Sequence, residues 1–275
     1  MPGVQSSLTR NSHLASRIAA ALVLMPLTVG LTWAGGIYFT VLIAGCAVLL
    51  AREWSRLCGA RPESLPAVGL GIGSAAIIGL AYLHPDYALA AVACIVLYFV
   101  LRRLPASQMP KPNRVWLAAG ALVIPTAGLT LIWLRTMPEN GLFLVVWLFA
   151  VVWAADIAAF ATGKTVGGPR LAPSISPNKT WSGFGGGLAG ASIVGFCLSY
   201  AIAGEAILLA LIAGMLVGLA SAVGDIFESY LKRRFDAKDS GGLIPGHGGV
   251  LDRLDSLLAA APATLFLYSL DWRWL

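Results

Sequence analysis

Six carboxylates crowd one stretch of this 275-residue chain. Segment 224–256 reads GDIFESYLKRRFDAKDSGGLIPGHGGVLDRLDS and holds Asp225, Glu228, Asp236, Asp239, Asp252 and Asp255 with five bases. Asp225, Glu228, Ser229 and Lys232 are spaced i, i+3, i+4 and i+7, which is one face of a helix. Asp252, Asp255 and Ser256 repeat the first three of those positions. Carboxylates gathered beside lysines suit a hard divalent cation that holds polyphosphate, because Mg²⁺ takes oxygen ligands and shares them with substrate phosphates. A plainer alternative is a set of salt bridges tying two helices, for which Asp252, Arg253 and Asp255 would suffice. A solvated loop is a third alternative, although such loops usually carry basic charge without matching acids.

Between the two acidic groups runs Gly241-Gly242-Leu243-Ile244-Pro245-Gly246-His247-Gly248-Gly249. Glycines permit positive φ and close approach of backbone N–H groups, one way to cradle phosphate oxygens, but an ordinary turn would look the same. His247 has no second His or Cys near it, so it suits phosphate binding, proton transfer or a turn better than metal ligation. A second polar stretch holds Ile175-Ser176-Pro177-Asn178-Lys179-Thr180-Trp181, where Lys179 between Ser176 and Thr180 offers an anion one cation and two hydroxyls. Asp156 lies inside an apolar run, where a carboxylate is costly enough to suggest function, with a helix-packing hydrogen bond as the alternative. The P-loop-like Ala158-xxxx-Gly163-Lys164-Thr165 follows an apolar run and no strand, so it carries no weight, nor does the sequon at Asn178.

The elements that must position these groups follow from composition. The chain is 58% apolar and 12% charged, with a mean hydropathy of +0.79. Soluble domains average about 45–50% apolar and about 25% charged. A soluble enzyme, a disordered chain and a disulfide scaffold are excluded, and an all-α integral membrane protein is expected. Cys46, Cys58, Cys94 and Cys197 lack metal or redox spacing and are expected to serve packing.

Apolar runs near 18–34, 36–51, 66–83, 87–101, 115–134, 141–160, 184–203, 205–223 and 257–271 each approach the roughly 20 residues that a bilayer core requires. They predict nine transmembrane helices in a single polytopic domain spanning 1–275, with the first run retained as a span. With the N-terminus cytoplasmic and the C-terminus outside, 17 of the 19 Lys and Arg fall inside, leaving only Arg135 and Arg273 outside. The +6 balance then reports membrane orientation and phosphate binding, with no nucleic acid as partner. The same orientation puts both long polar stretches, 161–183 and 224–256, on the cytoplasmic side as catalytic loops. Trp33, Trp54, Trp116, Trp133, Trp272 and Trp274 sit at run ends, as interfacial anchors do. Gly69-xxx-Gly73 and Gly214-xxx-Gly218 are helix-packing candidates at most.

The run Ser229-x-x-Lys232-Arg233-x-x-x-x-Lys238-Asp239-x-Gly241-x-x-Ile244-Pro245-x-His247-Gly248-Gly249-x-x-Asp252-Arg253-x-Asp255 closely resembles the signature of the CDP-diacylglycerol synthase (phosphatidate cytidylyltransferase) family. Gly224-Asp225, Ser176-Pro177-x-Lys179-Thr180, Asp156-x-x-Ala159-Phe160-x-x-Gly163 and Glu53 add to it. The resemblance is strongest over 150–258. Two positions depart from the pattern: Phe160 replaces a common Tyr, and Ser182 replaces a common Glu.

The resemblance implies transfer of a cytidylyl group from CTP to phosphatidate, giving CDP-diacylglycerol and pyrophosphate, with Mg²⁺ and room for a second cation. It implies a multi-pass protein of the cytoplasmic membrane, working in phospholipid biosynthesis with its site facing the cytoplasm, and is compatible with a homodimer. By resemblance, Asp225 and Asp252 are the principal metal ligands, with Asp255 and Asp156 as further candidates. Lys179, Lys232, Arg233 and Lys238 would hold phosphates, Ser176, Ser229 and His247 would orient them, and Asp239 and Arg253 would support the neighbouring groups. Gly248 and Gly249 would complete the binding loop. Lipid-phosphate attack on CTP joins two polyanions, so metal and lysine charge addresses the main barrier. A sugar-phosphate transferase acting on a lipid carrier would also want cytoplasmic Asp clusters, but the Lys-Asp…His-Gly-Gly…Asp-Arg…Asp order argues against it. A transporter would want charges midway along several spans and pseudo-symmetric halves, and only Asp156 is embedded.

Overall fold

A computed structural model describes residues 22–23, 25–101, 114–203, 208–243 and 248–270. Arg10, Arg17, Arg102, Arg103, Lys111, His247, Arg273, Trp272 and Trp274 lie outside the described residues. Apolar runs become helices because a helix satisfies its own backbone polar groups wherever water is excluded. Among the described residues these are α1 (25–34), α2 (Gly36–Leu57), α3 (Leu65–Leu83), α4 (Pro85–Leu101) and α5 (Arg114–Thr136). They continue with α6 (Gly141–Thr165), α7 (Trp181–Ala203), α8 (Leu208–Arg234) and α9 (Leu251–Ser269). Six of them, α2, α3, α5, α6, α7 and α8, are long and apolar enough to cross a membrane. Helix α4 has only 17 residues, and α9 carries Asp252, Arg253 and Asp255 among its first five residues.

The chain is not wholly α-helical. Strands β1 (Arg170–Ala172) and β2 (Ser176–Thr180) pair antiparallel, with Arg170 opposite Thr180 and Ala172 opposite Ser176. Pro169, Pro173 and Pro177 interrupt any helix here, and Gly167 and Gly168 have φ of +66° and +105°, where a Cβ would be strained. The expected loop 161–183 is therefore the end of α6, a hairpin and the start of α7. Much of 224–256 is likewise helical, because α8 runs on to Arg234 with Glu228 and Leu231 buried, and α9 begins at Leu251.

Small residues set the spacing around the site. The most extensive helix contact is between α6 and α7. A Cβ on Gly183 would lie 2.8 Å from the Ala159 carbonyl oxygen, and one on Gly187 would lie 3.1 Å from that of Ala155. Gly214 and Gly218 meet Ala191 of α7, so that glycine pair packs helices, whereas Gly69 faces open space. Gly224 brings α8 against α9: a Cβ there would sit 2.6 Å from the Asp255 carbonyl oxygen.

Several sequence expectations change. Trp54 is no interfacial anchor. It is 1% exposed, and its Nε1 donates to the Trp116 carbonyl at 2.7 Å within a cluster that includes Phe227. Trp33, by contrast, is exposed. Cys58 is buried, but Cys94 and Cys197 face outward and do not pack the core. Arg135 turns inward to finish α1, its Nε and Nη2 donating to the Thr32 and Trp33 carbonyls at 2.9 Å each.

Candidate active site

Residues of α6, α7, α8 and α9 and of the hairpin line one cavity of about 680 Å³, a size typical of small-molecule sites. Its walls include Asp156 from α6, Ser176 and Lys179 from β2, Asp225 from α8, and Asp252 and Asp255 from α9. Groups spread over a hundred residues thus share one space. Lys164, Arg170, Asn178, Thr180, Ser221 and Ser256 add to the polar lining, and of these Arg170 and Ser221 were not singled out from the sequence.

Two lysines organise the carboxylates. Lys179 Nζ lies 2.5 Å from Asp225 Oδ2, joining the hairpin to α8. Lys232 Nζ lies 2.6 Å from Glu228 one turn back and donates to Asp252 Oδ1 at 2.9 Å, joining α8 to α9. The anticipated one-face spacing of Asp225, Glu228 and Lys232 is therefore real, and Lys232 also serves the helix-tying role weighed as the alternative.

Asp252 accepts further N–H groups from Ser240, at 3.3 Å and 3.2 Å to its two oxygens, and from Gly249 at 3.0 Å. Burial raises the pKa of this carboxyl, but the hydrogen bonds from Lys232, Gly249 and Ser240 outweigh it and hold Asp252 below the usual range. Asp255 behaves oppositely, since burial and then the nearby Asp225 charge push it up to about 8. Both residues precede the apolar run that starts at 257.

The hairpin is anchored at its base. Thr180 Oγ1 accepts the Gly183 N–H at 3.1 Å, capping α7, and pairs with Ser182 Oγ at 3.0 Å. The Thr180 hydroxyl is therefore committed to the helix and not offered to an anion, as the sequence had suggested. Ser182 donates to the Gly167 carbonyl and closes the loop that leads into the hairpin. Arg233 Nε donates to Ile175 O at 3.3 Å, so it braces the hairpin from outside the cavity.

Several expected binding residues do not line the cavity. Ser229 is half-buried on α8, while Lys238, Asp239 and Arg253 are exposed, and none of the four is among the lining residues. Gly248, at φ +86°, and Gly249 form the turn that presents an N–H to Asp252. Glu53 and Ser240 were not assigned roles from sequence, yet both are buried beside this turn. Glu53 had entered only as part of the resemblance, without a role, and Ser240 had not entered at all; their meeting in space links them to the site.

The donor chemistry is of the oxygen type that a magnesium-type cation takes, without a closed ligand set among the described residues. All the candidate ligands are carboxylate oxygens, and Asp225 and Asp252 each already hold an ammonium group at 2.5 Å and 2.9 Å. Among the described residues no three His, Cys, Asp or Glu side chains close on one point. Mg²⁺ is commonly held by one or two carboxylates, with water and substrate phosphate supplying the rest.

A helical, membrane-type bundle with one cavity of carboxylates and lysines is the class that fold and site define. The chain belongs to the cytidylyltransferase family, whose model matches residues 15–271. It is 39% identical over 257 residues to the phosphatidate cytidylyltransferase of Brucella suis biovar 1 (strain 1330), covering 94% of this chain and 93% of that one. It is 36% identical over 270 residues to the phosphatidate cytidylyltransferase of Pseudomonas aeruginosa PAO1, covering 94% and 98%. The protein of that name from Rickettsia bellii (strain RML369-C) is 38% identical over 203 residues, covering 68% and 87%.

Proposed function

We propose that this protein transfers the cytidylyl group of CTP to phosphatidate, releasing pyrophosphate and forming CDP-diacylglycerol. The observation that carries this assignment is the shared cavity of Lys179, Asp225, Asp252 and Asp255 in a chain of this family. A phosphate oxygen of phosphatidate attacks the α-phosphorus of CTP. One P–O bond forms as the bond to the β-phosphate bridge breaks, and the electron pair leaves with pyrophosphate.

The chain's own part is positioning and charge. Lys179, Lys164 and Arg170 line the cavity where the triphosphate would lie and oppose repulsion between the two anions. Ser176 adds a hydroxyl on the same wall. Lys232 fixes Asp252, and Gly224 fixes the approach of α8 to α9. Asp225 and Asp252 are the residues that would hold Mg²⁺, with Asp255 and Asp156 beside them in the same wall. When bound, the ion would withdraw charge from the phosphates and stabilise the leaving pyrophosphate.

The bilayer setting follows from the lipid substrate, and the bias of basic residues supports nine spans with the cavity at the cytoplasmic face. Purified protein in detergent with phosphatidate, labelled CTP and Mg²⁺ tests the assignment. Labelled CDP-lipid and pyrophosphate are expected in equal amounts. No CDP-lipid, with a sugar nucleotide consumed instead, would overturn it.

A further inference from the structure

Glu53 lies in the last turn of α2 and is 3% exposed. Its Oε2 accepts the backbone N–H of Leu251, the first residue of α9, at 2.8 Å. The same oxygen accepts Ser240 Oγ at 3.3 Å. Ser240 precedes the glycine-rich run 241–249 of the α8–α9 connection and Leu251 follows it, so one carboxylate ties down both sides of that run. The glycines nearest those two residues make room for it: a Cβ on Gly241 would collide with Oε1, and one on Gly249 would lie 2.7 Å from Oε2.

The tether reaches the cavity through one residue. Asp252 follows Leu251 directly and accepts the N–H groups of Ser240 and Gly249, the same two segments that Glu53 holds. Ser240 is gripped by its hydroxyl on one side and its N–H on the other. A negative charge at the start of α9 also complements the helix dipole.

We propose that Glu53 is a positioning residue for the transfer reaction: from outside the cavity it fixes the ends of the glycine connection and thereby the orientation of Asp252. This rests on the cytidylyl-transfer assignment above. Partners that orient a site carboxylate from behind typically change activity by about 10–100-fold when altered.

The test compares wild-type protein with Glu53→Gln and Ser240→Ala in detergent. Thermal unfolding, kcat, and KM for CTP and phosphatidate are measured, together with hydrogen exchange of peptides covering 238–252. Glu53→Gln is expected to lower kcat at least about tenfold, with both KM values and the unfolding temperature nearly unchanged and exchange faster at 238–252. Ser240→Ala keeps the charge and removes one donor, so a loss of about fivefold is expected. Wild-type kcat in both variants would overturn the proposal. So would a kcat loss in Glu53→Gln that merely follows loss of folded protein while Ser240→Ala is fully active. Hydrogen exchange needs no turnover, so an inactive wild type would sink the assignment of the reaction while exchange still reports on the tether.

Discussion

Lys179 and Asp225 meet at 2.5 Å in the cavity wall, and neither had an identifiable partner from sequence. Each sits at a junction between protein and anion: the lysine can reach phosphate, and the carboxylate can reach a cation. Asp225→Asn keeps the shape and removes the charge, so kcat should fall by about 100-fold, as for loss of a group that stabilises transition-state charge, with unfolding temperature little changed. A steady-state assay beside a melting curve checks this. Asp252→Asn should likewise abolish turnover in a folded protein, since it weakens the hold on Lys232 and leaves Ser240 and Gly249 with a weaker acceptor; near-normal activity would remove Asp252 from the set of metal ligands. The one-face spacing of Asp225, Glu228 and Lys232 was readable because helical periodicity is local. The partners of Glu53 were not, because nothing local links a residue of α2 to an N–H in α9.

Helices and the hairpin place these groups through close backbone contact. Gly224 lets α8 rest on α9, and Gly224→Ala would put a methyl 2.6 Å from the Asp255 carbonyl oxygen. Overpacking of this kind costs about 1–3 kcal/mol. The expected outcome is a lower unfolding temperature together with reduced kcat, because Asp225 and Asp255 shift apart. The hairpin is a separate element with its own prediction. Ser182→Ala removes the hydrogen bond to the Gly167 carbonyl, worth about 1 kcal/mol, and should raise KM for CTP more than it lowers kcat. Equal KM values would show that the hairpin base does not govern nucleotide binding. Helices were legible as apolar runs, but the hairpin was not. Its strands have three and five residues, and Pro173 and Pro177 obscure any alternation.

At the scale of the whole molecule, the apolar runs and the segregation of basic residues gave a membrane protein with its polar stretches gathered on one side. The helices follow those runs, and Asp156 of α6, Asp225 of α8 and Asp252 and Asp255 of α9 line one cavity. Run ends were less telling: Trp54 marks a buried junction of α2, α5 and α8 because its indole N–H finds the Trp116 carbonyl. Orientation can be measured in cells. In a variant with its four cysteines replaced, a single cysteine at Asn140 should react with an impermeant maleimide from outside, and one at Gly168 only after permeabilisation. The reverse pattern would invert the topology.

The account stands on the cavity between the hairpin, α8 and α9 being where nucleotide and cation bind. A crystal structure with CTP and Mn²⁺, read by anomalous scattering, tests this most directly. An anomalous peak beside Asp225 and Asp252, with the triphosphate against Lys179, is the predicted result. Nucleotide and metal bound elsewhere, with this cavity unchanged, would contradict it.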